Sequence, residues 1–148
     1  MSERILISTW LDIEDVERIR AVSSSVEVMY APELLNKPRF PGDHGAEIPE
    51  VSLSQEDEAR WLSLLDRATI LFDIDRTHAD QIPDLAPNTR WIQSTSSGIG
   101  QSVNKRQYPE RMPNTIITTA SGVHAIPLAE FAAMAMLMHS RRALHMIR

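Results

Sequence analysis

The sequence predicts an α/β domain built on a parallel sheet of five strands. Three observations carry that expectation. Short apolar runs recur at 5–8, 26–30, 68–74, 91–94 and 115–118, each long enough for one buried strand. Segments with apolar residues at helical spacing fall between them. Strand and helix in alternation require parallel strands joined by right-handed crossovers.

Each element has its own signal. Ile5-Leu6-Ile7-Ser8 opens the chain as a buried strand. From Asp12 to about Ser23, Ile13, Val16, Ile19 and Val22 recur every three residues, one face of a helix. Asp12 is a favourable N-cap, and Glu14 and Asp15 suit the positive end of the helix dipole. Val26 to Tyr30 is a second strand rich in β-branched residues. From Ala31 to Ser54, Pro32, Pro38, Pro41, Pro49, Gly42 and Gly45 break any period and predict a long surface loop. Ser54 then caps a helix whose inward face is read as Ala59, Leu62 and Leu65. Ala68 to Ile74 is a third strand, and a short helix from Ala79 to Leu85 stops before Pro87. Trp91 to Ser94 and Thr115 to Thr118 complete the strands. A long helix follows from Ile126 to Met146, with Pro127 in its first turn, where a missing N–H costs nothing. The expected architecture is a three-layer, flavodoxin-like or Rossmann-like sheet of five parallel strands with a long C-terminal apolar helix. That helix fits poorly: it is apolar nearly all round, and such a helix needs cover on every side.

Composition narrows the function. The 148 residues include no cysteine, which removes disulfides, thiolate metal sites and cysteine nucleophiles together. A formal charge of -5 lacks the basic footprint of a nucleic-acid binder. The start has no signal-peptide pattern, and the apolar stretch from Ala125 to Met138 is too short to span a bilayer and carries Glu130. A cytoplasmic chain that binds neither nucleic acid nor membrane is expected.

In open parallel sheets, ligands bind beyond the carboxyl ends of the strands. The most informative end is Ser94-Thr95-Ser96-Ser97-Gly98-Ile99-Gly100, where hydroxyls and two glycines follow a buried strand. From the residues alone it is either a hydroxyl-capped turn or a nest of amides for an anion. It is not a dinucleotide fingerprint, because no third glycine falls at G-x-G-x-x-G spacing. Asp12, Asp73 and Asp75 could converge as an acidic, magnesium-binding cluster, but Asp75 and Arg76 read more simply as a solvated strand end. His44, His78, His124, His139 and His145 do not pair with carboxylates at metal-ligand spacings, and each is expected to be structural, His78 as a helix-start residue. No catalytic constellation is complete, and no metal ligand set is assigned.

Three blocks occur in order between Asn88 and Arg142: Arg90 to Ile99; Ile117 to His124; and Pro127-Leu128-Ala129-Glu130-Phe131 followed by Arg141-Arg142. On these the chain resembles the D-isomer-specific 2-hydroxyacid dehydrogenases, over essentially its whole length. The resemblance implies that residues 1–124 are a segment of a flavodoxin-like substrate domain. Residues 125–148 are then an interdomain helix leading to an NAD(P)-binding domain outside the chain. It further implies that the turn after the fourth strand, at Ser96, Ser97, Gly98 and Ile99, presents main-chain amides to the carboxylate of a small 2-oxo or 2-hydroxy acid. NAD or NADP would serve the complete enzyme, with none bound to this chain alone. The family's G-x-G-x-x-G and its catalytic arginine, glutamate and histidine have no counterpart here and are expected beyond Arg148, so the chain alone is expected to be inactive. Glu130 matches the helix glutamate of the family, not the catalytic one, and Gly100 stands where an aspartate is common. The helix from Ile126 to Met146 is expected to form a homodimer or to meet the cofactor domain. The alternative function is a stand-alone, non-catalytic domain for small carboxylates or for oligomerisation.

Overall fold

A computed structural model of the protein describes residues 2–40 and 52–146. Its elements, in chain order, are β1 (Glu3–Ile7), α1 (Ile13–Ala21), β2 (Val26–Met29), a 3-10 turn (Pro32–Leu34) and α2 (Gln55–Arg67). Then come β3 (Ile70–Phe72), α3 (Ile82–Leu85), β4 (Trp91–Gln93), α4 (Gly100–Lys105), α5 (Tyr108–Arg111), β5 (Ile116–Thr118), α6 (Ala125–Ser140) and α7 (Ala143–Met146). The strands form one sheet in the order β2-β1-β3-β4-β5, every neighbouring pair parallel. This is the flavodoxin-like order, and the expected α/β class is what the chain adopts.

Strand register decides what each face carries. Leu6, Leu71, Ile92 and Ile117 align across β1, β3, β4 and β5, and so share one face. On it Leu6, Leu71 and Ile92 are fully buried in a core with Trp61 and Leu65 of α2, Ile82 of α3, Val103 of α4 and Tyr108 of α5. Tyr108 is the largest fully buried side chain. Its hydroxyl donates to the carbonyl of Ala79, and burial pushes the phenol pKa up to about 12. Among the described residues the opposite face has only α1, whose Val16 is fully buried, as is Ile7 of β1. Over β4 and β5 no described helix covers that face: Trp91 is 40% and Ile116 is 65% exposed.

Several expectations shift in detail. The inward side of α2 is Trp61 and Leu65, with Ala59 exposed, because Trp61 buries more apolar surface than an alanine can. Ser54 caps α2 as expected, its hydroxyl accepting from the Asp57 amide at 3.1 Å. Asp12 occupies the cap position of α1 without a side-chain capping bond, and Ile13 and Val22 of the predicted apolar face are exposed. The helix expected over 79–85 is one turn, α3, preceded by irregular turns. The single helix expected to Met146 breaks after Ser140. There the Ser140 hydroxyl donates to the Leu137 carbonyl at 3.0 Å and Arg142 turns left-handed at φ 51°. The centre of the proline-rich loop, with Pro41, Gly42, Gly45 and Pro49, lies outside the described residues.

Ile92→Ala empties a fully buried position and is expected to cost about 2–5 kcal/mol, whereas Val22→Ala on exposed surface stays within about 0.5 kcal/mol. Urea unfolding of the two variants beside the parent checks the contrast.

Candidate functional site

Two places at the carboxyl edge of the sheet combine polar groups with access. The first follows from topology. The chain runs outward from β1 to β2 and then back across to β3, and the two crossovers in opposite directions leave a crevice at the β1/β3 boundary. The crevice is a cleft of about 360 Å³, with Ser8, Trp10, Glu58, Trp61, Asp73, Asp75 and His78 in its wall.

Asp75 and His78 sit just past β3, and Glu58 and Trp61 face them from α2. One oxygen of Asp75, Oδ2, accepts from Trp61 Nε1 at 2.7 Å and from His78 Nδ1 at 2.6 Å; Oδ1 accepts from the Thr77 amide at 3.0 Å. On its other side His78 Nε2 lies 2.7 Å from Glu58 Oε1. Both ring nitrogens face carboxylate oxygens, an arrangement that favours the protonated ring. Burial alone would lower the pKa of His78. The hydrogen bonds and charges of Asp75 and Glu58 act against it and leave the value raised. Asp75 is 6% exposed, so the solvated strand end expected at this residue is corrected: its charge is buried and spent on three donors. Arg76 beside it is exposed, as expected. His78 is corrected too, from a helix-start residue to a bridge between the β3 end and α2.

Asp73 anchors the neighbouring turn. Its backbone is left-handed at φ 69°, a conformation aspartate tolerates better than most residues. Its amide donates to the Gln93 carbonyl at 2.7 Å and its carbonyl accepts from Ser8 Oγ at 2.7 Å. Its Oδ1 accepts from the Ile74 amide at 2.9 Å, and Oδ2 from Thr95 Oγ1 at 2.6 Å. The three expected aspartates do not converge: Asp12 is exposed on α1 and lies outside the cleft wall. Among the described residues no group of three or more histidines and carboxylates has the geometry to hold a metal ion.

The second place is the predicted turn, Ser96 to Ile99, between β4 and α4. Ser94 is fully buried and its Oγ accepts from the Ser96 amide at 3.1 Å, so the start of the turn is fixed. Ser96, Ser97 and Gly98 are exposed and Ile99 is half-buried. Among the described residues the amides of Ser97 and Gly98 have no acceptor. Gly98 has neither a positive φ nor a neighbour within 4 Å of where a Cβ would stand, so the fold itself does not require glycine there. The turn does not line the cleft, and Asp73 is the link between the two. Sequence reasoning missed the Glu58–His78–Asp75 bridge. Its one local signal was the three-residue spacing of Asp75 and His78. Among the described residues, no helix is long and apolar enough to cross a membrane.

Compared with protein-family models, with curated proteins and with solved structures, the chain finds no match in any of the three.

A histidine with a raised pKa contributes stability that is complete below about pH 6.5 and is lost as pH rises through the higher folded value. His78→Gln is therefore expected to be most destabilising near pH 6, with the gap to the parent narrowing at alkaline pH. Urea unfolding across that range checks it. Asp75→Ala, which strands two buried donors, is expected to cost about 3–5 kcal/mol.

Proposed function

We propose that this chain is the substrate-binding part of an NAD(P)-dependent oxidoreductase acting on small 2-oxo or 2-hydroxy acids. On this reading the turn at Ser96–Ile99 takes the substrate carboxylate. The observation that carries the reading is the pair of amides of the exposed residues Ser97 and Gly98, without acceptors among the described residues, at the carboxyl end of β4. Two adjacent N–H groups suit a carboxylate, and a glycine lets it approach the backbone closely. The resemblance of residues 88–142 to D-isomer-specific 2-hydroxyacid dehydrogenases supplies the substrate class.

The residues of this chain do not fit the nucleotide itself. No glycine-rich turn follows β1, where Ser8-Thr9-Trp10 stands instead. The crevice at the β1/β3 boundary presents Glu58, Asp73 and Asp75, whose charges oppose a pyrophosphate. Nicotinamide and proton donor belong on this reading to a second unit, and this chain's part is to bind and orient the acid. Helix α6 supports such a unit, since sixteen largely apolar residues with none buried suit a neighbouring surface. The missing nucleotide turn equally favours a second reading, a non-catalytic domain for small carboxylates.

Titrating the labelled protein with glyoxylate is expected to shift the amides of Ser96 to Gly100 before all others. Gly98→Ala, for which the fold has room, should keep the melting temperature and weaken those shifts. Shifts centred on Trp61 and His78 would move the site to the cleft, and none at all would end the carboxylate reading. The purified chain with glyoxylate and NADH or NADPH is expected to give no turnover, because it lacks both nucleotide site and proton donor. Turnover would overturn the division between two units.

A further inference from the structure

We propose that the bond between His78 and Glu58 is a proton-controlled strut in the wall of the cleft, which releases the first turn of α2 when the ring loses a proton. The proposal is independent of the carboxylate reading. Two side-chain hydrogen bonds cross from α2 to the segment after β3. Trp61 Nε1 donates to Asp75 Oδ2 at 2.7 Å, and one turn earlier Glu58 Oε1 lies 2.7 Å from His78 Nε2. They answer differently to pH. An indole N–H is always a donor, whereas an imidazole donates from both nitrogens only when it is protonated. The contacts of His78 with Asp75 and with Glu58 can therefore both be hydrogen bonds to ionised carboxylates only in the protonated ring.

Once the ring is neutral, one of the two carboxylates lacks its donor, and burial decides which. The side chain of Asp75 is 8% exposed and that of Glu58 is 37% exposed. Depriving a buried carboxylate of a donor costs more than turning a half-exposed one to water, so the remaining proton stays on Nδ1, facing Asp75. The Nε2 lone pair then meets a Glu58 oxygen, acceptor against acceptor, and Glu58 turns outward. Leu53, Ser54, Gln55 and Glu58 line one side of the cleft, and residues 73–78 line the other. Losing the strut loosens the first side at the start of α2. Farther along the helix Trp61 and Leu65 remain anchored in the core.

The charges acting on the ring come from two elements, Asp75 on its own segment and Glu58 on α2. Against burial, they hold the His78 pKa above the ordinary value, so release falls on the alkaline side of about pH 6.5. The other ionisable groups nearby have different commitments. Asp73 accepts from the Ile74 amide and Thr95 Oγ1, Asp80 pairs with Arg106 at 2.7 Å, and Arg76 is exposed. Burial keeps the Tyr108 phenol neutral up to about 12. The end of β1 contributes Ser8, Thr9 and Trp10, which are uncharged.

NMR of the isotope-labelled full chain between about pH 5 and about pH 9 tests the strut. Nε2 of His78 is expected to lose its proton while Nδ1 keeps it. Exchange protection at the Asp57 and Glu58 amides, corrected for the intrinsic rate, is expected to fall about tenfold through that titration, while the Trp61 indole N–H stays protected. Glu58→Gln keeps the shape of the side chain and removes its charge, and its amide can pair with Nε2 in either state of the ring. In that variant the His78 pKa is expected to fall and the step in protection to vanish. Loss of the proton from Nδ1 overturns the proposal, as does protection that stays level while the ring titrates. Equal loss at Trp61 and along the rest of α2 overturns it too, since the bond would then support the whole fold rather than one turn.

Discussion

The pairing of β1 with β3 is the constraint on which the rest of the structure depends. Once Ile5, Leu6 and Ile7 align with Ile70, Leu71 and Phe72, β2 is left on one flank and β4 and β5 on the other. The crossovers must then leave in opposite directions, and handedness sends α1 to one face and α2 to the other. The crevice at the β1/β3 boundary is a consequence, since no connection passes over that point. So is the chemistry of its wall, because the residues after β3 emerge opposite the first turns of α2.

Those residues carry charge into a place where charge is costly. A buried carboxylate is tolerated only when its oxygens are satisfied, and Asp75 meets that condition with an indole, an imidazole and a main-chain amide. The same bonds hold His78 between two carboxylates, Asp75 and Glu58, so the bridge works as a clamp between the end of β3 and α2. Asp73 does for β4 what Asp75 does for α2. Three donors converge on it, Ser8 Oγ, the Ile74 amide and Thr95 Oγ1, while its own amide donates to Gln93 of β4, and the segment from Ser94 to Ile99 starts from that fixed point. The turn can therefore be exposed and still have a defined beginning.

Much of this was legible in the residues. Apolar runs marked all five strands because a parallel strand in a packed sheet has to be apolar. Ser54 announced its helix because a hydroxyl before an acidic first turn satisfies amides that the helix cannot. Less legible were features set by partners distant in sequence. Asp75 and His78 read singly as strand end and helix start, and neither Glu58 nor Trp61 was singled out; only the β1/β3 pairing brings the four together. Helices α4 and α5 escaped notice because their apolar positions, Val103, Tyr108 and Met112, are too sparse for a helical stripe. The break at Arg142 was hidden because arginine is a good helix former, and nothing local marks a left-handed φ there.

The two flanks of the sheet are finished to different degrees, and that difference connects the candidate turn with the exposed helix. Around β1 and β2, helices lie on both faces and the crevice beside them is walled. Around β4 and β5 one face is packed, the other carries exposed Trp91 and Ile116, and the turn at Ser96–Ile99 stands in water. An amide that faces water exchanges one hydrogen bond for another when it takes a carboxylate, so the net gain is small. The same amide in a site from which water is excluded interacts far more strongly, because the local dielectric falls. A surface that covered the β4–β5 edge would therefore do two things at once. It would bury the apolar side chains that the sheet and α6 leave exposed, and it would dry the turn. On the reading proposed for this chain, affinity for a small acid is a property of the assembled edge, and weak binding by the isolated chain follows from the same exposure that makes assembly favourable.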